Sequence, residues 1–337
     1  MKTPRSRRSF LRTAGLGAAA FTIVPRHVLG GPGFVAPSDQ VSVGIVGVGG
    51  RGRRNVEALL RLDDVRVTAI ADPAEHWDLS GFYYRSQAGR GPVRELIEDH
   101  YRKQTPGYQV AEYLDFREML DEAPALDAVL CATPDHLHAY VSLLAMRAGK
   151  HVYCEKPLTH NIWEAREVAR VAKETGMATQ MGNQMHSTAS IRETVEYLRA
   201  GAIGSVRQVH AWVPATRWIN SLTGVPEGSS PVPQGLDWDL WLGPRAGRPF
   251  HETYVPVTWR DYWDFGLGAL GDFGCHDMDS TVWAFDLAPP TSVEVRPAGY
   301  SDADITPYGE IGYYHFAAQG DQPALDLTWY SGGLRPE

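Results

Sequence analysis

Two short stretches carry side chains suited to moving protons and charge. In "YCEKPL" (153–158), Lys156 stands between Glu155 and Pro157, directly after an apolar run. An ammonium at the mouth of a buried strand needs a partner, and a developing alkoxide on a bound ligand is one. In "GDFGCHDMDSTVWAF" (271–285), read as a helix, Asp272 and His276 are four apart and share a face. The acid would orient the ring and raise its basicity, which suits the imidazole to take a hydroxyl proton. The glycines before it remove side chains, so a ligand approaches closely. Lys156, Asp272 and His276 are the candidate catalytic residues. An acid beside a histidine is equally a structural pair, so the case rests on the elements around them.

Those elements begin with a nucleotide fold. "VSVGIVGVGGRG" (41–52) runs from β-branched residues straight into glycines, and Gly47, Gly49 and Gly52 have the G-x-G-x-x-G spacing. They permit a tight turn, close approach of a pyrophosphate, and helix–strand packing; Gly50 and Arg51 complete the turn. "RRNVEALLRL" reads as the helix whose first amides face the phosphates. A second strand, "VRVTAIAD", ends in Asp72, 20 residues past Gly52. That carboxylate is placed for an adenosine ribose hydroxyl and would repel a 2′-phosphate. Pro73 and Ala74 follow it with no arginine at hand, so NAD is preferred to NADP.

Residues 75–92 read as an irregular insertion. Helix and strand patterns then alternate: helix "VRELIEDHYRK", a strand near 108–113, helix "FREMLDEA", the apolar strand "LDAVLCATP" (126–134), helix "LHAYVSLLAMRAG", strand "HVYCEKP", helix "NIWEAREVARVAKETG" and strand "MATQMGN". This order implies a doubly wound parallel sheet. Ligands sit beyond the carboxyl ends of such strands, which places Thr133, Pro134, Glu155, Lys156 and Pro157 around the nicotinamide end of a cofactor. His136 and His138 in "DHLH" cap the next helix and line the cleft. With no third ligand in sight they make no metal site, and none is expected.

From about residue 184 the character changes. A helix, "ASIRETVEYLRAG", and an alternating strand, "SVRQVHAWVPA", precede a proline- and glycine-rich loop (224–235). Eight of the ten tryptophans follow residue 200. Most must be core or interface anchors, with two or three left to stack on sugar C–H faces. Asn183, Gln184, His186 and Trp263 are the candidate substrate contacts.

The N-terminus places Arg7 and Arg8 before "SFLRTAGLGAAAFTIV", an order similar to a twin-arginine export signal, with cleavage expected within 29–38. Residues 1–36 hold six basic residues and no acidic one, so without them the net charge falls from −8 to −14. Such a surface repels phosphate backbones, which excludes nucleic acid as a natural partner. No apolar run is long enough for a membrane span in the mature form. Three cysteines (Cys131, Cys154, Cys275) cannot all pair. Cys131 and Cys154 would meet only if they close neighbouring strands, where an oxidising compartment permits a disulfide.

The order of "GIVGVGGRG", "CATPDHLHA", "CEKP" and "GDFGCHDMD" resembles the glucose-fructose oxidoreductase / inositol dehydrogenase / MocA family, and in its other motifs the exported bacterial branch. The resemblance implies an α/β protein: an NAD(P)-binding Rossmann domain at 37–182, after a signal at 1–36, then a substrate domain at 183–337 with an open, mostly antiparallel sheet. It implies NAD(P)-dependent oxidation or reduction of a sugar or polyol, with Lys156 at the reacting hydroxyl and Asp272 and His276 as acid and proton carrier. A cis peptide before Pro157 is implied too. Since some relatives carry tyrosine for the histidine, Lys156 is the firmer of the two. An NAD-dependent glycosidase using transient oxidation and elimination is the alternative, and a non-catalytic dinucleotide sensor a third, against which the intact trio weighs. A periplasmic or extracellular site has no free NAD pool, so the cofactor is expected to be loaded before export and held tightly. A homo-oligomer is expected from an open sheet with an aromatic face. The ending "TWYSGGLRPE" falls within a sheet pattern and reads as a truncation.

Overall fold

The computed structural model describes residues 35–36 and 39–337; the segment 1–36 expected to be an export signal, but for its last two residues, lies outside the described residues. The first sheet has six parallel strands: β1 (Val41–Val46), β2 (Val65–Ala71), β5 (Ala111–Tyr113), β6 (Ala128–Cys131), β7 (His151–Glu155) and β8 (Thr179–Gly182). Their order is β5-β2-β1-β6-β7-β8. Between β1 and β6 the winding reverses, and the crevice beyond that point is where a doubly wound sheet takes its ligand.

Both faces of this sheet are covered, which explains the continuous apolar runs. On one face Val46, Val129 and Cys131 pack against Ala139, Val141 and Val168. On the other Ile45, Val67 and Ile70 pack against Val56, Val93 and Ile97. The buried residues belong to helices α1 (Gly50–Leu59), α2 (Arg90–Tyr101), α4 (Asp135–Arg147) and α5 (Ile162–Thr175). A shorter helix, α3 (Phe116–Glu122), follows β5 and is N-capped by Asp115. The insertion at 75–92 is more ordered than its composition implies. Trp77–Asp78 (β3) and Gln87–Ala88 (β4) pair antiparallel, and the hairpin folds back over the glycine turn.

The second sheet runs β10 (Ser292–Ala298), β11 (Gly309–Phe316), β12 (Leu325–Tyr330) and β9 (Gln208–Trp212). The first two pairings are antiparallel and the last is parallel, so the sheet is open and mostly antiparallel. Trp329, Leu325 and Leu327 on its inner face pack against Ala269, Phe273 and Met278. The segment carrying Asp272 and His276 is thereby seated on the sheet. It is not one regular helix: Leu270–Gly274 is a π-helix, followed by α8 (Cys275–Asp277) and α9 (Asp279–Phe285). Helix α6 (Ala189–Arg199) packs on α9. A third cluster, with Trp238 and Trp241 of α7 (Trp238–Leu242) and with Tyr254 and Phe265, gives the loop-rich stretch between the strands its own aromatic core. Among the described residues no helix is long and apolar enough to cross a membrane.

The glycine turn shows why two of its positions tolerate no side chain. Gly47 has φ +83°, and an added Cβ would meet the Ala132–Thr133 backbone at 2.8 Å; at Gly52 it would meet the Gly47 carbonyl oxygen at 1.9 Å. At Gly49 it would meet nothing within 4 Å. Gly52→Ala is therefore expected to destabilise the fold by about 1–3 kcal/mol, because the blocking atoms are backbone. Gly49→Ala should stay within about 0.5 kcal/mol of the parent. Urea unfolding of the two variants checks the contrast.

Candidate active site

A cavity of about 400 Å3 lies between the glycine turn and the segment on the second sheet. Lys156 reaches it from the end of β7, and Asp272 and His276 from the opposite wall. Lys156 Nζ donates to Asp272 Oδ1 and to the Asp272 carbonyl, both at 2.5 Å. An ammonium has three hydrogens, so one remains for a ligand. Arg260 Nε lies 3.3 Å from Asp272 Oδ2, giving one carboxylate between two cations. Burial alone would raise that carboxyl; Arg260 and Lys156 overturn this and hold it at about 2.

Asp272 does not orient the histidine, contrary to expectation. The π-turn and the two cations commit its oxygens to Lys156 and Arg260, and His276 Nδ1 is buried with no hydrogen-bond partner. Burial, and then the Lys156 charge, push the imidazole below its usual value, so it is neutral and able to accept a proton.

The opposite end of the cavity is the glycine turn, with Gly47, Gly49, Gly50 and Arg51 in its wall. Helix α1 has no acidic residue in its first turn and no side-chain cap, so its leading amides are open to an anion. Tyr84 packs against Gly50, where an added Cβ would lie 2.3 Å from its ring. Arg54 donates to the Tyr84 carbonyl at 3.1 Å, which ties the hairpin over the turn. Asp72 also lines the cavity, but both its oxygens brace backbone: Oδ2 accepts from Val48 N at 2.8 Å and Oδ1 from Ala74 N at 2.9 Å. Burial pushes this carboxyl up to about 6 against those two bonds.

Thr133, Pro134, His138 and Glu155 line the cavity as well. Gly52 and Pro157 do not; Gly52 is a packing residue, and Pro157, preceded by a cis peptide, turns its own carbonyl to His138 Nδ1 at 2.6 Å. Glu155 is buried and accepts from Asn55 Nδ2 at 2.7 Å and from Gln184 Nε2. Cys131 and Cys154 are register partners on β6 and β7 and stand as free thiols. With His138 they bring three donor atoms within 4.8 Å, the partners that "DHLH" lacked in sequence. Both His138 ring nitrogens already face carbonyl oxygens, Pro157 at 2.6 Å and Thr133 at 2.9 Å, so neither is free for an ion.

Of the four candidate substrate contacts only Gln184 lines the cavity. Asn183 turns to the Cys275 carbonyl at 2.9 Å. His186 binds Asp279 at 2.8 Å and stacks on Trp283, which holds it against α9 and away from the cleft. Trp263 lies off the cavity wall; Trp77, Trp218, Trp241 and Trp259 are in it. Arg260 and Asp135 were also missed. "WRDYWDFG" gave no local cue to Arg260, whose partner lies in another segment, and Asp135 was passed over beside the histidines of "DHLH". Burial raises the Asp135 carboxyl to about 6.

Comparison with known proteins agrees with this layout. Residues 41–183 match the oxidoreductase family's NAD-binding Rossmann fold, and residues 210–320 its C-terminal alpha/beta domain. A glycosyl hydrolase family 109 protein of Shewanella baltica is 27% identical over 231 residues, 63% of this chain and 47% of that protein. A 1,5-anhydro-D-fructose reductase of Ensifer adhaerens is 27% identical over 197 residues, 57% of this chain and 48% of that one. The chain thus spans about half the length of these curated relatives. In fold it is similar to the WlbA dehydrogenase of Bordetella pertussis, solved with NADH and UDP-GlcNAcA, at TM-score 0.60 and 18% identity, covering 88% of this chain and 74% of that one. The chain belongs to the glucose-fructose oxidoreductase / inositol dehydrogenase / MocA family of NAD-binding oxidoreductases.

Proposed function

We propose that this chain is an NAD-dependent oxidoreductase acting on a sugar or polyol hydroxyl. The observation that carries the reading is the convergence of Lys156 and His276 on one cavity whose far wall is an anion-ready glycine turn. The turn, Arg51 and Asp72 would hold the dinucleotide, and Thr133, Pro134 and Glu155 its nicotinamide end. The open space at Gly49 fits a pyrophosphate. When bound, the cofactor supplies an acceptor and donor of hydride. The remaining ammonium hydrogen of Lys156 binds the substrate hydroxyl and stabilises alkoxide character. His276, neutral and in the cavity wall, takes the hydroxyl proton. Asp272 aims Lys156, a role different from the ring-orienting one first assigned.

The named relatives support carbohydrate substrates. Likeness to glycosyl hydrolase family 109 proteins favours a second reading, redox-neutral cleavage of a glycoside. The hairpin tied over the glycine turn suits either reading, because an exported enzyme must retain its cofactor. Export by the twin-arginine route and NAD over NADP belong to the same proposal. So does self-association through the outer face of the second sheet, where Trp212 and Tyr313 are exposed.

Three outcomes follow. NAD-loaded protein given free sugars is expected to build NADH absorbance; release of nitrophenol from nitrophenyl glycosides without net NADH would establish the second reading instead, and neither signal would reject both. Lys156→Ala should lower turnover by about 1,000-fold, within the range for removing an electrostatic contact to a reacting oxygen, while NAD still binds by fluorescence titration. Oxidation should fall as pH drops through an ionisation below the usual histidine value, since only neutral His276 accepts a proton. His276→Asn should remove that limb from the pH–rate profile.

A further inference from the structure

Among the described residues, two large side chains are both exposed and part of the cavity wall: Tyr83, 55% exposed, and Trp218, 38% exposed. Their rings are nearly parallel, at 23°, with centroids 6.0 Å apart. At that separation they are offset, so together they offer a wider aromatic surface than either alone. Each is backed, Tyr83 by Tyr84 at 4.0 Å and Trp218 by the edge of Phe82 at 6.2 Å.

The platform is fixed relative to the chemistry. The 3-10 turn Thr258–Asp261 carries Arg260 onto Asp272, and its next residue, Asp261, onto the Trp218 loop. Asp261 is 1% exposed and accepts from Trp218 N at 3.0 Å and Ile219 N at 2.7 Å. One rigid turn thus sets both the charge clamp and the aromatic surface at the cavity mouth. A cavity that takes one sugar ring at Lys156 leaves this surface to whatever is attached to that ring.

We propose that Tyr83 and Trp218 bind a second ring, joined to the sugar that reaches Lys156, so that a glycoside or short oligosaccharide is bound in preference to a free monosaccharide. This rests on the carbohydrate reading above. A pyranose presents an apolar C–H face, and an aryl group a π-face; both stack on such a surface, and a polyol chain does not.

The test uses the NAD-loaded full chain and calorimetric titration with methyl and 4-nitrophenyl pyranosides of glucose, galactose and N-acetylgalactosamine. For the sugar that binds, the nitrophenyl glycoside is expected to bind about 10-fold more tightly, the size of one aromatic stacking contact. Trp218→Ala and Tyr83→Ala should each bring that ratio towards one, and Trp218→Phe should keep most of it. An unchanged ratio in both alanine variants overturns the platform, as does a loss of NAD affinity equal to the loss for the nitrophenyl glycoside. If Trp218→Ala does not fold, Tyr83→Ala, at an exposed position, gives the same reading. Parent protein that binds neither glycoside of any sugar overturns the carbohydrate reading itself, and the platform with it.

Discussion

One carboxylate between two cations sets the terms for the rest of the site. Lys156, Arg260 and Asp272 have side chains only 11%, 15% and 17% exposed. A buried ammonium without an anion carries a desolvation cost that nothing offsets. Asp272 supplies the anion, and because its carboxyl is held at about 2 the pairing is intact across the neutral range. The stability this shift contributes is present above the ordinary carboxylate value and is lost as pH falls towards 2.

The clamp also joins the two halves of the chain. Lys156 ends a strand of the parallel sheet, and Asp272 sits on a π-turn packed against the second sheet. Arg260 comes from a short turn in the aromatic region between them. That turn follows Val257, whose φ of +70° is rare for a β-branched residue and persists because Leu79, Tyr84 and Ala88 pack around it. Backbone strain at a cavity wall, held by the hairpin that also covers the glycine turn, couples the nucleotide end of the cavity to its polar end.

The sequence was most legible where function depends on local geometry. The glycine spacing encodes a turn whose positive φ at Gly47 and close approach at Gly52 allow few substitutes, and the strand–helix alternation follows from a sheet buried on both faces. Lys156 stood out because a charge closed an apolar strand. Asp272 and His276 do share one cavity wall, but the expected pairing between them gives way to Asp272–Lys156, because that partner lies 116 residues away and the helix shifts register at the π-turn. His186 and Trp263 were misplaced for the same reason: residue type showed what they could bind, and only packing shows which way they face. Arg260 and the Tyr83–Trp218 pair are products of tertiary arrangement with no periodic trace.

The most direct measurement is a crystal structure of the chain with NAD bound. The account predicts the pyrophosphate on the leading amides of α1 and nicotinamide C4 facing the space between Lys156 Nζ and His276, within about 3–3.5 Å of a bound carbinol carbon. A dinucleotide seated elsewhere, or a nicotinamide turned away from Lys156, would contradict it.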